Sequence, residues 1–255
     1  MTDADIALIE RLADAAGEAI RPFFRARFTI ETKADHSPVT QADRAAEAAI
    51  RAILEAERPD DGIIGEEYGV VREQAARTWV IDPIDGTRAF LAGRPMFGTL
   101  IALLEEDRPV LGMIDQPIAR ERWLGATGRA TTLNGTPAAT RACADLAKAH
   151  LGTTGPNLFP PEDQPGFDRL RGQVRDTIWG GDCYNYGLVA SGHIDLVVEA
   201  NLQLYDFAAL VPVVEGAGGR MTDWQGRALG RASDGRVIAA GDPALIEQAI
   251  EALSP

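Results

Sequence analysis

The stretch WVIDPIDGTRAF, residues 79–90, constrains the fold of this chain more than any other segment. Its first residues are apolar and predict a buried strand. Pro83 restricts its own φ and biases Asp82 toward an extended conformation, so we expect the strand to stop at Asp82. Two carboxylates, those of Asp82 and Asp85, therefore lie close together in a tight turn at the end of a buried strand.

The residues after the second aspartate add a glycine and a hydroxyl to this turn. Gly86 permits backbone conformations that other residues resist, and Thr87 can cap a helix that begins in TRAFLAG. Two carboxylates repel each other unless a cation lies between them, and Mg²⁺ prefers oxygen ligands of this kind. A helix N-terminus beside them suits a phosphate group. The segment predicts a site for magnesium and phosphate.

Other structures also carry aspartates at similar spacings. Asp-Pro and Asp-Gly are common turn dipeptides, so an ordinary turn stays open on this segment alone. An EF-hand loop is excluded, because its twelfth position counted from Asp82 is Gly93, where a bidentate glutamate is required. Phosphatases of the haloacid dehalogenase type separate their aspartates by one residue, whereas two residues separate Asp82 and Asp85.

Hydrophobic periodicity divides the chain into two parts. Residues 4–26 predict an amphipathic helix, and a second helix follows Thr40 as its N-cap. Short β-rich runs from WVID to RWLGAT favour a largely antiparallel sheet. Strands and helices alternate downstream of this sheet, which indicates an α/β second part. We predict two domains, residues 1–141 with most of the acidic motifs and residues 142–255.

Composition limits the class of partner. The formal net charge of −13 disfavours nucleic acid and anionic membrane surfaces. No apolar run approaches the roughly 18 residues that span a bilayer, and the acidic N-terminal stretch does not resemble a signal peptide. Two cysteines, Cys143 and Cys183, are too few for a disulfide framework or a cysteine-based metal site. We expect a cytoplasmic protein that acts on a small molecule.

Two further motifs accompany the DPIDGT segment. GEE at residues 65–67 lies upstream at a predicted strand end, and Tyr-Asp at residues 205–206 opens a helix that ends in GAGG at residues 216–219. In this order, together with Lys33 and the SPVTQAD run at residues 37–43, they closely resemble the inositol monophosphatase superfamily. The resemblance covers nearly the whole chain.

The resemblance implies a fold, an activity and a set of metal ligands. The fold would be mixed α+β or α/β, a layered αβαβα sandwich of the inositol monophosphatase and fructose-1,6-bisphosphatase type. The activity would be that of a homodimeric phosphomonoesterase with two or three Mg²⁺ ions, for which Mn²⁺ can substitute, and attack by a metal-activated water. The ligands implied for the ions are Glu66, Asp82, the carbonyl of Ile84, Asp85 and Asp206.

Catalytic and phosphate-binding roles also follow from the resemblance. Glu66 and Thr87 would orient and deprotonate the attacking water, and the amides of Gly86 and Thr87 would bind the phosphate. Asp43 would stand near a third, weaker metal position. Asp43 also has a purely structural interpretation, since it could complete a capping box with Thr40.

Two other residues keep open interpretations. Asp206 lies near a predicted helix N-terminus, where a negative charge is favoured by the helix dipole. Lys33 is either a loop cation or a neighbour of the site. The three histidines fit neither a metal cluster nor a catalytic triad, and Cys183 is expected to be a core residue rather than a nucleophile.

Two stretches bear on the substrate. Arg88 and the run Asp182-Cys183-Tyr184 resemble the branch of the superfamily that hydrolyses L-histidinol phosphate in histidine biosynthesis. Inositol 1-phosphate is the alternative substrate, followed by 3′,5′-bisphosphate nucleotides and fructose 1,6-bisphosphate. A metal-binding regulatory protein without turnover is the non-enzymatic alternative, which the intact acidic motifs disfavour.

An ammonium-bearing substrate needs carboxylates away from the metals. Glu199 occupies a position where family members place a substrate-contacting acid, and Asp182 is expected on the same rim. We expect Glu199, and secondarily Asp182, to bind the ammonium, while Arg88 shapes the pocket or closes it across a dimer. The alternative for Glu199 is a strand-end acid in solvent.

Overall fold

The structure is a computed structural model that describes residues 1–26, 30–32 and 38–254, with the backbone alone for 30–32 and 38–40. Lys33 and the capping side chain of Thr40 lie outside the described part. The helices are α1 (Asp3–Ile20), α2 (Gln41–Glu57), α3 (Thr87–Leu91), α4 (Gln164–Arg171), α5 (Tyr184–Ala190), α6 (Leu204–Phe207), α7 (Leu210–Gly216) and α8 (Ala244–Leu253).

The strands form a two-stranded ribbon and two larger sheets. They are β1 (Ile30–Thr32), β2 (Pro38–Thr40), β3 (Gly62–Gly65), β4 (Gly69–Val71), β5 (Arg77–Asp85), β6 (Gly98–Glu105), β7 (Arg108–Gln116), β8 (Glu121–Ala126), β9 (Arg129–Leu133), β10 (Thr136–Pro137), β11 (His150–Thr153), β12 (Asp176–Trp179), β13 (Leu196–Glu199), β14 (Arg220–Thr222) and β15 (Val237–Ala240).

The first helix begins and ends where its local sequence directs. Thr2 caps it through a capping box with Asp5, in which each side chain accepts a bond from the other residue's amide. The α-helix stops at Ile20, earlier than predicted, because Pro22 has no amide hydrogen for the next intrahelical bond. The chain continues as one 3₁₀ turn, Arg21–Phe23.

The larger sheet has the order β10-β9-β8-β7-β6-β5-β3-β4, and the smaller one β12-β11-β13-β15-β14. All neighbours in the larger sheet are antiparallel except β3 and β5, which run parallel. The prediction of a largely antiparallel sheet is therefore confirmed. In the smaller sheet β11 runs parallel to β12 and β13, while β15 is antiparallel to β13 and β14.

The fold has five layers, and three hydrophobic clusters fill the spaces between them. The first packs α1 and α2 on one face of the larger sheet, where Trp79 and Ile81 point. Val80 alternates to the other face, where a second cluster includes residues of α5, α6 and α7 and reaches the smaller sheet. The third cluster packs α4 and α8 on that sheet's far face. The predicted αβαβα sandwich is confirmed.

The helix predicted from Tyr205 to the GAGG run is instead two helices, α6 and α7. Pro212 cannot donate to the carbonyl of Ala208, and its ring crowds that carbonyl, so the helix breaks there. The helical backbone of this region lies directly on the larger sheet. A Cβ on Gly125 would approach the Pro212 oxygen to 2.2 Å, so only glycine permits this contact.

Within the described residues, no helix combines the length and the apolarity required to cross a membrane.

Candidate active site

A bulge in β5 places the two aspartates of the DPID run. The strand does not stop at Asp82, as predicted, but runs on to Asp85 with a shift of register between them. Asp82 lies opposite Leu100 and Asp85 opposite Gly98, so β5 has one residue more than β6 in this interval. Residues three apart on a regular strand face opposite sides, and the extra residue brings both carboxylates to the same side.

Side-chain bonds hold this bulge in place. Pro83 has no amide hydrogen, and its carbonyl instead accepts a bond from the Thr99 hydroxyl at 2.8 Å. The amide of Ile84 donates to Oδ1 of Asp82 at 3.0 Å. The interrupted ladder is thus satisfied locally, and Asp82 is held by its own strand.

The turn after the bulge differs in detail from the prediction. Gly86, with φ of 86°, is the N-cap of α3, and Thr87 is the first helical residue rather than the cap. The Thr87 hydroxyl donates to the carbonyl of Ile84 at 3.0 Å. A Cβ on Gly86 would lie 3.0 Å from the Met96 oxygen and 3.2 Å from the carboxyl of Asp182, so the turn requires glycine.

A third carboxylate joins from the far end of the chain. Asp206 lies in α6, where its carboxylate accepts a bond from the Gln203 amide at 2.6 Å in a capping box. Oxygens of Asp82, Asp85 and Asp206 all lie within 4.8 Å of one another. The structure therefore brings Asp206 beside two carboxylates that precede it by more than a third of the chain.

Two more of the predicted acids surround this triplet. Glu66 follows β3, and its amide donates to the carbonyl of Ile81 at 3.2 Å, one residue before Asp82. Asp43 lies in the first turn of α2 and is 1 % exposed. The charges of Glu66 and Asp43 both contribute to the raised pKa of Asp82, so both residues lie near it.

Burial and mutual repulsion make the triplet costly to ionise. Burial raises the pKa of Asp82 and Asp85 well above the ordinary aspartate value, and neighbouring carboxylates raise it further. Burial also raises the pKa of Asp206 to about 7, although the bond from the Gln203 amide opposes this shift. A cation among these oxygens would relieve the repulsion, and an all-oxygen donor set fits Mg²⁺.

A second acidic group forms the rim beside the Gly86 turn. Asp182 adopts a left-handed φ of 45°. Burial and the charge of Glu199 raise the pKa of Asp182 to about 7, while exposed Arg88 acts in the opposite direction. The next amide, that of Cys183, donates to Oδ2 of Asp85 at 2.6 Å. The rim is therefore connected directly to the metal-binding candidates.

Glu199 is not an acid in solvent, because it is 2 % exposed. Its Oε1 accepts bonds from the amide and hydroxyl of Thr154 at 2.8 and 2.6 Å, and its Oε2 accepts one from the Tyr186 hydroxyl at 2.9 Å. Sequence reasoning missed Thr154 and Tyr186. Neither belongs to an acidic motif, and only the pairing of β11 with β13 brings Thr154 to Glu199.

Comparison with known proteins agrees with this geometry. A model of the inositol monophosphatase family matches residues 2–255. The chain belongs to the inositol monophosphatase family. The family is one of phosphatases, which makes a phosphoric monoester hydrolase the general activity, and its enzymes use Mg²⁺. The expected family is thus confirmed.

Proteins with different names are similar to this chain, and they include both histidinol-phosphatases and inositol monophosphatases. The chloroplastic bifunctional phosphatase IMPL2 of Arabidopsis thaliana is 51 % identical over 95 % of this chain and 72 % of its own length. A histidinol-phosphatase of Mycobacterium tuberculosis is 37 % identical over 89 % of this chain and 90 % of its own. A solved inositol monophosphatase from Zymomonas mobilis is 60 % identical, covers 98 % of both chains and superposes with a TM-score of 0.92.

Proposed function

We propose that this protein is a Mg²⁺-dependent phosphatase that hydrolyses L-histidinol phosphate to L-histidinol and phosphate. The observation that carries the proposal is that two clusters of carboxylates lie next to each other. The triplet of Asp82, Asp85 and Asp206, one buried and two partly buried carboxylates, offers closely spaced oxygens for a hard cation. Asp182 and Glu199 add negative charge across the Gly86 turn, where a substrate ammonium would lie.

The donor set and its burial support metal binding. Glu66, Asp82, the carbonyl of Ile84, Asp85 and Asp206 would hold two Mg²⁺ ions, with Asp43 near a third position. When bound, the ions would stabilise negative charge on the phosphoryl oxygens and raise the acidity of water. The fit is chemical, because buried carboxylates with raised pKa values need positive charge to remain ionised together.

The chain's own residues would orient the nucleophile and the phosphate. The Thr87 hydroxyl donates its hydrogen to the Ile84 carbonyl, so its lone pairs can accept a hydrogen from a water molecule. Glu66 would receive the second proton of that water as the oxygen attacks phosphorus. The new P–O bond forms opposite the ester oxygen, the ester P–O bond breaks, and the alcohol takes a proton from solvent. The amides of Gly86 and Thr87 would bind the phosphoryl oxygens.

The substrate's ammonium has a candidate partner close to the phosphate. In histidinol phosphate the ammonium-bearing carbon is next to the CH₂–O–P group. Asp182 lies next to the Gly86 turn, whereas the oxygens of Glu199 already accept bonds from Thr154 and Tyr186. We therefore place Asp182 first and Glu199 second, the reverse of the order expected from the sequence. Arg88 would shape the outer edge of this pocket.

Inositol 1-phosphate is the second candidate, since relatives of both names resemble the chain. The deciding experiment is a phosphate-release assay with Mg²⁺ and a panel of histidinol phosphate, inositol 1-phosphate, glycerol phosphate and adenosine 3′,5′-bisphosphate. We expect the highest kcat/KM with histidinol phosphate. A preference for inositol 1-phosphate would replace the substrate assignment, and no release from any ester would refute the phosphatase assignment.

We also propose a cytoplasmic homodimer built from domains 1–141 and 142–255. The thiols of Cys143 and Cys183 are unpaired, which fits a reducing compartment. The dimer and the domain division rest on the family resemblance and on the change of pattern along the sequence. Light scattering after gel filtration tests the dimer, and limited proteolysis tests a boundary near residue 141.

A further inference from the structure

The loop that carries Glu66 is held by a buried carboxylate outside the acidic motifs. Glu66, Glu67 and Tyr68 form the loop of the β3–β4 hairpin, in which Gly65 pairs with Gly69. Glu47, on α2, is 0 % exposed and lies against this loop. Its Oε2 accepts a bond from the Glu67 amide at 2.7 Å, and its Oε1 accepts one from the Tyr68 amide at 3.2 Å.

An arginine on the same helix also binds the hairpin, and we call Glu47 and Arg51 together the clamp. Arg51 donates from Nε to Oε1 of Glu47 at 2.7 Å and from Nη2 to the Gly69 carbonyl at 2.5 Å. A helix-surface pair at this spacing stabilises a helix only slightly. This pair instead connects α2 to three successive residues of the hairpin, Glu67, Tyr68 and Gly69. Burying a carboxylate is unfavourable unless charged and polar donors surround it, and here the loop amides supply those donors.

The glycine before the loop makes room for the clamp. A Cβ on Gly65 would lie 1.9 Å from Oε1 of Glu47, far inside any allowed contact. Gly65 does not adopt a left-handed φ, so the approach of Glu47, rather than backbone conformation, explains why this residue is glycine. The glycine of the GEE motif therefore leaves free the space that the Glu47 side chain occupies.

The clamp also connects Glu66 to the rest of the candidate metal site. Three successive amides of the loop are engaged, Glu66 by the Ile81 carbonyl and the next two by Glu47. Asp43 is one helical turn before Glu47, on the same face of α2. One helix thus presents Asp43 toward Asp82 and holds the loop that presents Glu66.

We propose that Glu47 is a positioning residue that directs the carboxylate of Glu66 toward Asp82 and Asp206 by holding the amides of the hairpin loop. The inference rests on the proposed metal role of Glu66. Glu47 touches neither metal nor substrate; it acts through the loop. Substitution of such an outer partner of a metal ligand typically weakens metal binding by about 10- to 100-fold.

The test is Mg²⁺ binding by isothermal titration calorimetry to the full-length Glu47→Gln variant, below its unfolding temperature. Glutamine keeps the size of the side chain but replaces one accepting oxygen with a donor. We expect binding weaker by about 10- to 100-fold and a fall in kcat that exceeds any change in KM for the ester.

The matched control is Asp5→Asn. Asp5 is another buried acid, 1 % exposed, that accepts bonds from Thr2, Arg58 and Arg77 at the end of β5 away from Asp82. This substitution should lower Tm and leave the Kd for Mg²⁺ unchanged. An unchanged Kd in Glu47→Gln, with Tm lowered as in the control, would show that Glu47 is only structural.

Two variants cover a failure of Glu47→Gln to fold. Glu47→Asp withdraws the carboxylate from the loop, and Gly65→Ala displaces it, yet both retain the buried charge beside Arg51. Both should weaken Mg²⁺ binding, and wild-type Kd values in both would refute the role of Glu47. The wild-type protein separates the two hypotheses: if it binds no Mg²⁺, the metal assignment fails rather than the positioning role.

Discussion

At the scale of single residues, Asp85 links the candidate metal ligands to the acidic rim formed by Asp182 and Glu199. It faces Asp82 because of the bulge, lies within 4.8 Å of Asp206 oxygens, and accepts the Cys183 amide bond at 2.6 Å. Burial raises its pKa, then the charges of neighbouring aspartates raise it further, while the bonds from Cys183 oppose the shift. A change at Asp85 therefore affects both the metal-binding candidates and the substrate rim.

Asp85→Asn should retain the fold and lose most turnover. The amide is close in shape to the carboxylate but removes one ligand charge from a hard-cation site. We expect kcat to fall by about 100-fold or more, which corresponds to about 2.7 kcal/mol. The measurement is phosphate release with saturating Mg²⁺, alongside circular dichroism.

Chelation supplies the control for this variant. Wild-type activity should disappear with EDTA and return with Mg²⁺ or Mn²⁺. Near-normal turnover of Asp85→Asn, with the same metal content as wild type, would remove Asp85 from the ligand set.

Asp182→Asn tests substrate choice. A charge-assisted bond to an ammonium contributes about 1.5–3 kcal/mol, so the loss in kcat/KM with histidinol phosphate should be roughly 10- to 150-fold. Glycerol phosphate has no ammonium, and its kcat/KM should change far less. Glu199→Gln should show a smaller loss that also depends on the ester, because the substitution removes a charge near the ammonium but no direct bond to it.

Equal losses on the two esters in Asp182→Asn would mean that Asp182 acts through the metals or the fold. In that case the ammonium must be bound elsewhere, and the rim would carry no information about the substrate.

At the scale of secondary-structure elements, the contact between the larger sheet and the helices behind it determines where Asp206 lies. α7 and its N-cap residue, Ala209, lie on β7 and β8 at two glycines, while α6 packs against β5 and β6. A Cβ on Gly112 would lie 2.1 Å from the carbonyl oxygen of Ala209, and a Cβ on Gly125 would lie 2.2 Å from that of Pro212. The helix backbone is thus as close to the sheet as glycine allows, and α6 carries Asp206 to the end of β5.

Gly125→Ala should move α7 away from the sheet. Overpacking of this kind costs about 1–3 kcal/mol, and the displacement should also weaken Mg²⁺ binding through Asp206. Urea unfolding and a metal titration measure the two effects. Gly155→Ala is the control, because its Cβ would meet no atom within 4 Å and its φ of 173° is ordinary extended backbone. Equal stability of the two variants would contradict the close contact.

At the scale of the whole molecule, the site is a concentration of negative charge in a chain whose net charge is already −13. Burial raises the pKa of Asp206 and Asp182 to about 7. Acids whose folded pKa exceeds the unfolded value stabilise the fold below the unfolded pKa, near 3.8, and that stability is lost as pH rises through about 7. The metal-free protein should therefore become less stable between pH 5 and pH 8.

Mg²⁺ should reverse this trend. At 100 times its Kd, a ligand that binds only the folded state adds about 2.7 kcal/mol, so Tm at pH 8 should rise on addition of Mg²⁺ and less so at pH 5. Thermal unfolding with EDTA or Mg²⁺ at both pH values measures this. Asp85→Asn should gain less than wild type, and a Mg²⁺ effect independent of pH would contradict the role of these carboxylates.

Much of this protein is readable from its sequence because the relevant signals are local. The apolar periodicity of α1 and α2 and the acids of the GEE, DPIDGT and YD motifs depend on near neighbours in the chain. The resemblance those motifs carry predicted the layered fold, which the structure and its relatives confirm. The individual ligand and substrate roles remain predictions, although the structure brings Asp82, Asp85 and Asp206 together.

Only the tertiary structure decided how these residues meet. The bulge that brings Asp85 beside Asp82 depends on the pairing of β5 with β6. The bonds between Glu199 and Thr154 depend on β11 lying beside β13. The bonds from the Glu66 loop to Glu47 depend on the packing of α2 against the β3–β4 hairpin. Each is a contact between segments distant in sequence. Local residue types specify the available chemistry, whereas the direction of each side chain follows from long-range packing.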